Sequence, residues 1–457
     1  MKLTLHASAL ALAIAVGWVL PAQAQEASPI AQELALMREQ MAQMAARMET
    51  LQAQLDEATA KADATQATVN ALDTRAAGAS ETQVSWKGAP EFKADGGWTF
   101  KPRGRLQIDA GTVSSPPGIS NDGLGFGSEI RRAYLGFDGK IPGGFGYRAE
   151  IDVAQSGVEI TDLYLTYQAS KQLTLTLGQH KPFWGLEEMT SDLFTSFTER
   201  AATNTAFGYE RRLGASGSWS AGDVVVQAGV FTDNVADLND DGNNALSYDG
   251  RVVFAPKLGG NQLHLGGSAH RRDLNDSATS TRYRARPFIH TPDVRFIDTG
   301  AIPPSSETGY GVEGAYIAGP FHITGEAHWQ QVDRLAGADP TFFGGYAEVG
   351  YFLTRGDTRG YKGGAFDRTT PANPLGDGGI GAVQLNLRYG HLDLNDAGIV
   401  GGKQDGFGLA IVWTPTAYTK LMANYGRLKY SDAAIPAAGG DTGYSVDAFG
   451  ARAQVDF

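Results

Sequence analysis

The sequence of 457 residues contains no cysteine, so disulfide bonds cannot stabilise its fold. After the first twenty residues, no stretch is continuously apolar over the ~20 residues that a membrane-spanning helix needs, which excludes a helical membrane protein. The formal net charge of −12 argues against a general nucleic-acid-binding protein. With eight scattered histidines and no cysteine, zinc-site spacings are absent. We therefore expect no metal site, no cofactor and no enzymatic activity.

The first residues have the composition of a secretory signal peptide. A short cationic start precedes the apolar run Ala9–Leu20, and Ala22–Ala24 offers small residues at a cleavage site. A membrane anchor is the alternative, but the apolar run is too short to span a bilayer. We predict that residues 1–24 are removed on export.

The last residues and the composition both favour β-structure. The segment "FGARAQVDF" (Phe449–Phe457) alternates apolar and polar residues up to a final Phe, which resembles the last strand of bacterial outer-membrane barrels. The 59 glycines and 10% aromatic residues suit many strands and turns.

Residues 25–80 follow a heptad pattern instead. Apolar or small residues recur alternately four and three positions apart, which predicts a periplasmic α-helical coiled coil. The residues of this seam are Ile30, Leu34, Met37, Met41, Met44, Met48, Leu51, Leu55, Ala58, Ala62, Thr65, Val69 and Leu72. The alternative is one amphipathic helix lying on the barrel. A three-stranded stalk would match a trimeric barrel, and residues 81–97 are predicted as a linker.

From residue 98 to 457 the pattern changes to a period of two. In "YRAEIDV", for example, Tyr147, Ala149 and Ile151 alternate with charged residues. A soluble sheet buries its apolar face, whereas a membrane barrel turns that face to lipid and its polar face to a lumen. The signal peptide and the terminal Phe favour the second geometry. We predict an all-β, transmembrane antiparallel β-barrel of about 16 strands, near 99–111, 128–139, 145–154, 159–168, 172–180, 209–219, 223–232, 248–256, 262–272, 308–318, 321–331, 343–354, 382–393, 405–414, 418–429 and 443–457.

The connections between these strands differ in length. Short ones such as Pro142–Gly144 suit periplasmic turns. The long stretches 181–208, 273–306 and 355–381 suit external loops, some of which fold inward.

Alternation also places the cations. Lys101, Arg103 and Arg105 share the lumen face of their strand, and Arg132 faces the lumen of the next one. Strict alternation would place Arg131 on the lipid face, so we expect it to lie either at the membrane interface or at a bulge.

The stretch "TRYRARP" contains Arg282, Arg284 and Arg286, which point the same way in an extended chain. If this loop enters the lumen, the three guanidiniums form a row of sites for phosphate or carboxylate oxygens. The alternative is that they pair with Asp273, Asp276 and Asp293 on an external loop.

Two motifs suggest other chemistry. Asp237–Gly242 ("DLNDDG") copies the start of a calcium loop but has Tyr248 at the twelfth position, so a plain turn is the better interpretation. Glu187 and Glu188 resemble a catalytic pair, although charge balance beside Lys181 is the simpler role.

Six segments in order resemble the phosphate-selective porin O and P family. They are "GRLQIDAG", "RRAYLGFDG", "GQHKPFWGLEEMTS", "FTERA", "RRLGASGSW" and "RYRARPFIHTPDVRFIDTG". The resemblance implies a sixteen-stranded trimeric channel with an arginine ladder and a basic constriction. Carried over by position, the anion-binding lumen residues are Arg105, Arg131, Arg132, Lys181, Arg282, Arg284 and Arg286.

We therefore expect an outer-membrane porin for passive diffusion of small anions, with phosphate or polyphosphate as the leading solutes. Its expected partners are the lipid bilayer, lipopolysaccharide and two further copies in a homotrimer, and its stalk would lie in the periplasm. The alternative is a general porin with a structural role, in which the coiled coil tethers the outer membrane to the cell wall.

Overall fold

The computed structural model describes residues 29–78, 82–120, 123–154, 157–238, 245–275 and 280–457. The chain divides into two units, of which the first ends at Ser80 and the second is Glu81–Phe457. The predicted signal peptide 1–24 lies outside the described residues, as does the centre of the calcium-like turn, 239–244.

In the first unit, Pro29–Gly78 form one α-helix, as the heptad pattern predicts. The seam is exposed in the single chain, with Met41 62% and Met48 70% exposed. Side chains at this spacing become buried when a second helix packs along them, so the coiled coil stays a prediction. No helix in the described part of the chain is long and apolar enough to cross a membrane.

The predicted linker 81–97 contains a small antiparallel hairpin, formed by Gln83–Lys87 and Ala89–Ala94. Its second strand extends the sheet of the second unit by pairing Phe92 with Phe100.

The second unit is a closed barrel of 16 antiparallel strands, counted over the described residues, which confirms the predicted architecture. The strands are β1 (Trp98–Val113), β2 (Gly125–Ile141), β3 (Phe145–Asp152), β4 (Glu159–Gln168), β5 (Leu173–His180), β6 (Arg212–Ala221), β7 (Val224–Phe231), β8 (Leu246–Phe254), β9 (Asn261–Asp273), β10 (Pro304–Ala318), β11 (Phe321–Arg334), β12 (Thr341–Phe352), β13 (Ala382–Asp396), β14 (Ile399–Thr416), β15 (Thr419–Ser431) and β16 (Ser445–Asp456). The barrel closes where β16 pairs with β1, with Arg452 opposite Asp109.

Each strand alternates between an apolar outer face and a polar inner face. On β9, Leu265 is 50% exposed on the outside, whereas His264 is 1% exposed on the inside. An inward position suits a charged side chain because a cation at the lipid midplane costs about 2–4 kcal/mol. The polar groups therefore line the lumen, as alternation predicts.

The two ends of the barrel have different connections. At one end, which we call the turn end, strands are joined by short turns such as 142–144 and 319–320. The long segments 181–211 and 274–303 leave from the opposite end, the loop end. In outer-membrane barrels the short turns face the periplasm.

The prediction that 355–381 is an external loop is wrong. This segment follows β12, and every even-numbered strand ends at the turn end because antiparallel neighbours alternate in direction. Segment 353–381 therefore starts from the turn end. Strand order fixes the end of the barrel at which a connection lies, whatever its length.

Long segments from both ends fold into the lumen. Phe288 packs against β14 and β15, where a Cβ on Gly408 or Gly426 would lie 2.5 or 2.6 Å from its ring. From the other end, Phe366 packs with Leu186 and the inner face of β10. The expectation that some long loops fold inward is thus confirmed.

Candidate functional site

The segment 181–211 enters the lumen from the loop end, and we call it the inward loop. It contains the helices Leu186–Met189 and Ala202–Phe207 and a 3-10 turn at Asp192–Phe194. Trp184 is completely buried against the barrel interior. This packing holds the polar side chains of the loop at fixed positions opposite the wall.

A β-bulge places two consecutive arginines in the lumen. Gln107 on β1 pairs with Arg132, while the next residue, Ile108, pairs with Ile130, so Arg131 is an extra residue in β2. An extra residue shifts the alternation by one position, and both guanidiniums therefore contact acidic groups of the inward loop. Of the two alternatives for Arg131, the structure has the bulge.

Asp192 bridges arginines from two neighbouring strands. One carboxylate oxygen contacts the guanidinium of Arg105, and Oδ2 lies 2.8 Å from Nε of Arg132. Burial alone would raise the pKa of Asp192, but the charges of Arg105 and Arg132 hold it well below its usual range. The bridge is therefore ionised at neutral pH.

Glu199 makes a second bridge on the same loop. Its carboxylate binds Arg131 at two points, with Nε 3.0 Å from Oε1 and Nη2 3.1 Å from Oε2. Nη2 of Arg452 on β16 lies 2.7 Å from Oε1. Burial would raise the pKa of Glu199, but these two guanidiniums keep it well below its usual range.

Lys181 begins the inward loop and pairs within it. Its ammonium donates to the backbone oxygen of Glu188 at 2.9 Å and contacts the carboxylate of the same residue. Burial, and then the charge of Arg200, lower the pKa of Lys181 to about 8. This cation therefore titrates close to physiological pH.

Glu187 anchors the middle of the inward loop. Its carboxylate accepts hydrogen bonds from the backbone nitrogen of Ala201 at 2.9 Å and from the side chain of Asn204 at 3.1 Å. It also contacts Arg388 of β13, and burial raises the pKa of Glu187. Glu187 and Glu188 are thus paired with cations, the role that charge balance predicts.

The arginine run lies on an extended piece of chain with two different sides. Tyr283 and Ala285 are buried, whereas Arg282 and Arg284 between them are exposed. Nε of Arg282 donates to Asp298 at 2.7 Å. Two of the three arginines therefore point away from the packed interior of the loop.

Arg286 differs from the other two because it shares one carboxylate with a second arginine. Its Nη2 lies 3.1 Å from Oδ1 of Asp293, and Nη1 of Arg295 lies 2.8 Å from the same oxygen. Burial, and then the charge of Arg295, lower the pKa of Arg286. Of the acids predicted as alternative partners, Asp293 is used, Asp273 pairs with Arg271, and Asp276 lies outside the described residues.

Two cavities bring the predicted cations together. A cavity of about 270 Å³, which we call the arginine cavity, is lined by more arginines than carboxylates, namely Arg131, Arg200, Arg286, Arg295 and Arg388 with Glu199. A wider cavity of about 800 Å³ has a mixed lining that includes Arg105, Arg131, Arg132, Lys181, Asp192 and Glu199. Among the described residues that line these cavities, neither Arg282 nor Arg284 occurs.

Several contact residues were not predicted. Asp192 and Glu199 lie in a loop, where strand alternation gives no direction. Arg359, on the segment from the turn end, donates to the backbone oxygen of Phe194 at 2.5 Å and to Ser196 at 2.7 Å. By contrast, the inward direction of Arg452 follows from the alternation of β16.

Four buried histidines, His264, His270, His322 and His328, lie in the lumen wall. His264 is buried, with Nε2 3.0 Å from Oε1 of Glu313. In the part of the chain that the structure describes, no group of three or more His, Asp or Glu side chains is placed to hold a metal ion.

Comparison with known proteins gives matches in sequence and in fold. The model of the family phosphate-selective porin O and P matches residues 100–457. An uncharacterised protein of Caulobacter vibrioides is 46% identical over 388 residues, which cover 83% of this chain and 78% of the relative. Porin O of Pseudomonas aeruginosa is 28% identical over 425 residues, covering 82% of this chain and 92% of the relative.

Among solved structures, the anion-selective porin from Comamonas acidovorans aligns with a TM-score of 0.51 at 13% identity, over 79% of this chain and 100% of that one. The trimer form of OmpT from Vibrio cholerae aligns with a TM-score of 0.50 at 12% identity, over 79% of this chain and 100% of that one. These likenesses are of fold.

Proposed function

The chain belongs to the phosphate-selective porin O and P family and is an outer-membrane porin, and from this premise we propose that it passes small anions by passive diffusion. Phosphate and polyphosphate are the leading solutes. The family and the barrel fold are those of a channel rather than of an enzyme.

The arginine cavity is the observation that carries this proposal. Arg286 and Arg295 share the single carboxylate of Asp293, which is itself 81% exposed and does not line the cavity. Arg131 lines this cavity and also the wider one. Guanidiniums with incomplete neutralisation attract anions, and their planar donors match phosphate oxygens two at a time.

Sites in series suit passive transport. From the arginine cavity a solute passes to the wider cavity, where Arg105, Arg132 and Lys181 lie. Conduction needs binding that is strong enough for entry and weak enough for release. Carboxylates that pair with these cations weaken the binding of a solute anion.

The proposed assembly is a homotrimer with a periplasmic stalk. One solved porin of similar fold, OmpT of Vibrio cholerae, has a trimer form, and the exposed seam of Pro29–Gly78 is the surface on which three helices would pack.

Reversal potentials test the proposal. The full chain is reconstituted in a planar bilayer under a potassium chloride gradient, and the permeability ratio of chloride to potassium is measured before and after phosphate is added. We expect chloride to be the more permeant ion and phosphate to reduce the chloride current. A ratio near one, with no effect of phosphate, would instead identify a general porin.

A further inference from the structure

Arginines in the wall of the wider cavity are already paired with carboxylates of the protein itself. Asp192 places one carboxylate oxygen on Arg105 and the other on Arg132, at 2.8 Å from Nε. A phosphate or carboxylate solute would bind two guanidiniums in the same way. The side chains of Asp192 and Arg132 are 13% and 10% exposed, so this bridge borders the open cavity.

We propose, on the basis of the proposed function, that Asp192 determines solute affinity by competing with the permeating anion for Arg105 and Arg132. The carboxylate is attached to the inward loop, so its effective concentration at the two guanidiniums is high. A solute anion must displace it or share the site with it.

The position of Asp192 fits this role better than a purely structural one. The inward loop has other anchors, because Glu187 binds Arg388 and Arg359 binds the backbone oxygen of Phe194. The apolar side chain of Leu193 is also buried beside Asp192. Loss of one carboxylate therefore leaves the loop attached on both sides of the bridge.

Glu199 repeats the arrangement farther along the inward loop. It lies between Arg131 and Arg452, and it lines both the arginine cavity and the wider cavity. A solute that moves from one cavity to the other thus meets a tethered carboxylate at each step, and its binding is an exchange of one anion for another.

The test is the block of chloride current by inorganic phosphate in D192N, measured on the full chain in planar bilayers. We expect the half-blocking phosphate concentration to fall about tenfold, the factor that one charge-assisted contact contributes. D233N is the matched control, because Asp233 is a buried loop carboxylate bound by Arg272 at 2.5 Å but lines neither cavity. Its half-block should stay at the wild-type value.

Two outcomes overturn the inference. If Asp192 only holds the loop, D192N raises the conductance of both ions and leaves the half-block unchanged. If Asp192 assists binding, the half-block rises. Should D192N fail to fold, E199Q tests the same competition through Arg131 and Arg452, with the same expected fall. A wild-type channel without anion preference would refute the proposed function itself, which separates the two failures.

Discussion

Arg131 and Glu199 form a two-point ion pair inside the lumen, with both nitrogen–oxygen distances close to 3 Å (3.0 and 3.1 Å). The pair exists because one extra residue in β2 turns Arg131 inward. It joins the barrel wall to the inward loop at the boundary of the two cavities.

Neutralising Arg131 should reduce anion selectivity. In R131Q, Glu199 keeps one guanidinium partner and its charge is less balanced, so cations gain access to the cavity. We expect the anion-to-cation permeability ratio to fall about threefold to tenfold, the order by which a lumen charge changes local ion concentration. Reversal potentials measure it. R427Q is the control, because Arg427 is also paired with an aspartate, at 3.1 Å, but is 60% exposed on the outer face; an equal fall in R427Q would contradict the assignment.

Within the arginine run, the three positions should not be equivalent. R286Q removes a cation that lines the arginine cavity and leaves Asp293 with Arg295 alone, so the permeability ratio should fall by a factor similar to that of R131Q. R282Q removes a guanidinium that is 50% exposed and bound to Asp298, and it should change the ratio little. The same reversal-potential measurement decides. If R282Q lowered the permeability ratio as much as R286Q does, the three arginines would act as one unit.

Anion selectivity should fall as the pH rises from 7 to 9. A lysine is cationic below its pKa and neutral above it, and burial lowers the pKa of Lys181 to about 8. The wider cavity therefore loses one positive charge with a midpoint near pH 8. Reversal potentials across this range should show the transition in the wild type and not in K181Q. K403Q, which alters a lysine on the outer face paired with Asp393 at 2.8 Å, should keep the wild-type curve; a flat wild-type curve would refute the prediction.

The exposed helical seam should control oligomer stability. M41E introduces a charge at a seam position that is 62% exposed in the single chain. If helices pack there, burying the charge costs more than about 1.4 kcal/mol per helix, which is a factor of ten in association. Analytical ultracentrifugation of the full chain in detergent measures this change. Q43E, which lies off the seam, should associate like the wild type, and equal behaviour of both variants would argue against a coiled coil.

Strand positions were predictable because apolar and polar side chains alternate along each strand. The predicted strand 159–168 has the bounds of β4, and the others differ at their ends by up to six residues, the largest difference being at the start of β14. Residues with a clear parity, such as Arg105 and Arg132, point inward as predicted. Alternation alone could not choose between the alternatives for Arg131, because a bulge is set by pairing with the neighbouring strand.

The contacts of the loops were less predictable. No local rule relates Asp192 to Arg105, which are brought together by the path of the inward loop and the closure of the barrel. Likewise, nothing in the "TRYRARP" stretch separates Arg286 from Arg282; the difference follows from Phe288, which packs into the lumen beside two glycines. These relationships depend on the assembled fold.

Arg359 binds the inward loop from the opposite end of the barrel, and this contact has a consequence for the shape of the path through the lumen. The two segments it joins fill the lumen beside β8 to β12, and no described residue of those strands lines the cavities above. Under the proposed function, a solute that passes through these cavities follows an eccentric route along one half of the wall. The opposite half acts on this route indirectly, since Glu348 of β12 holds the guanidinium of Arg388, which lines the arginine cavity, at 2.7 Å.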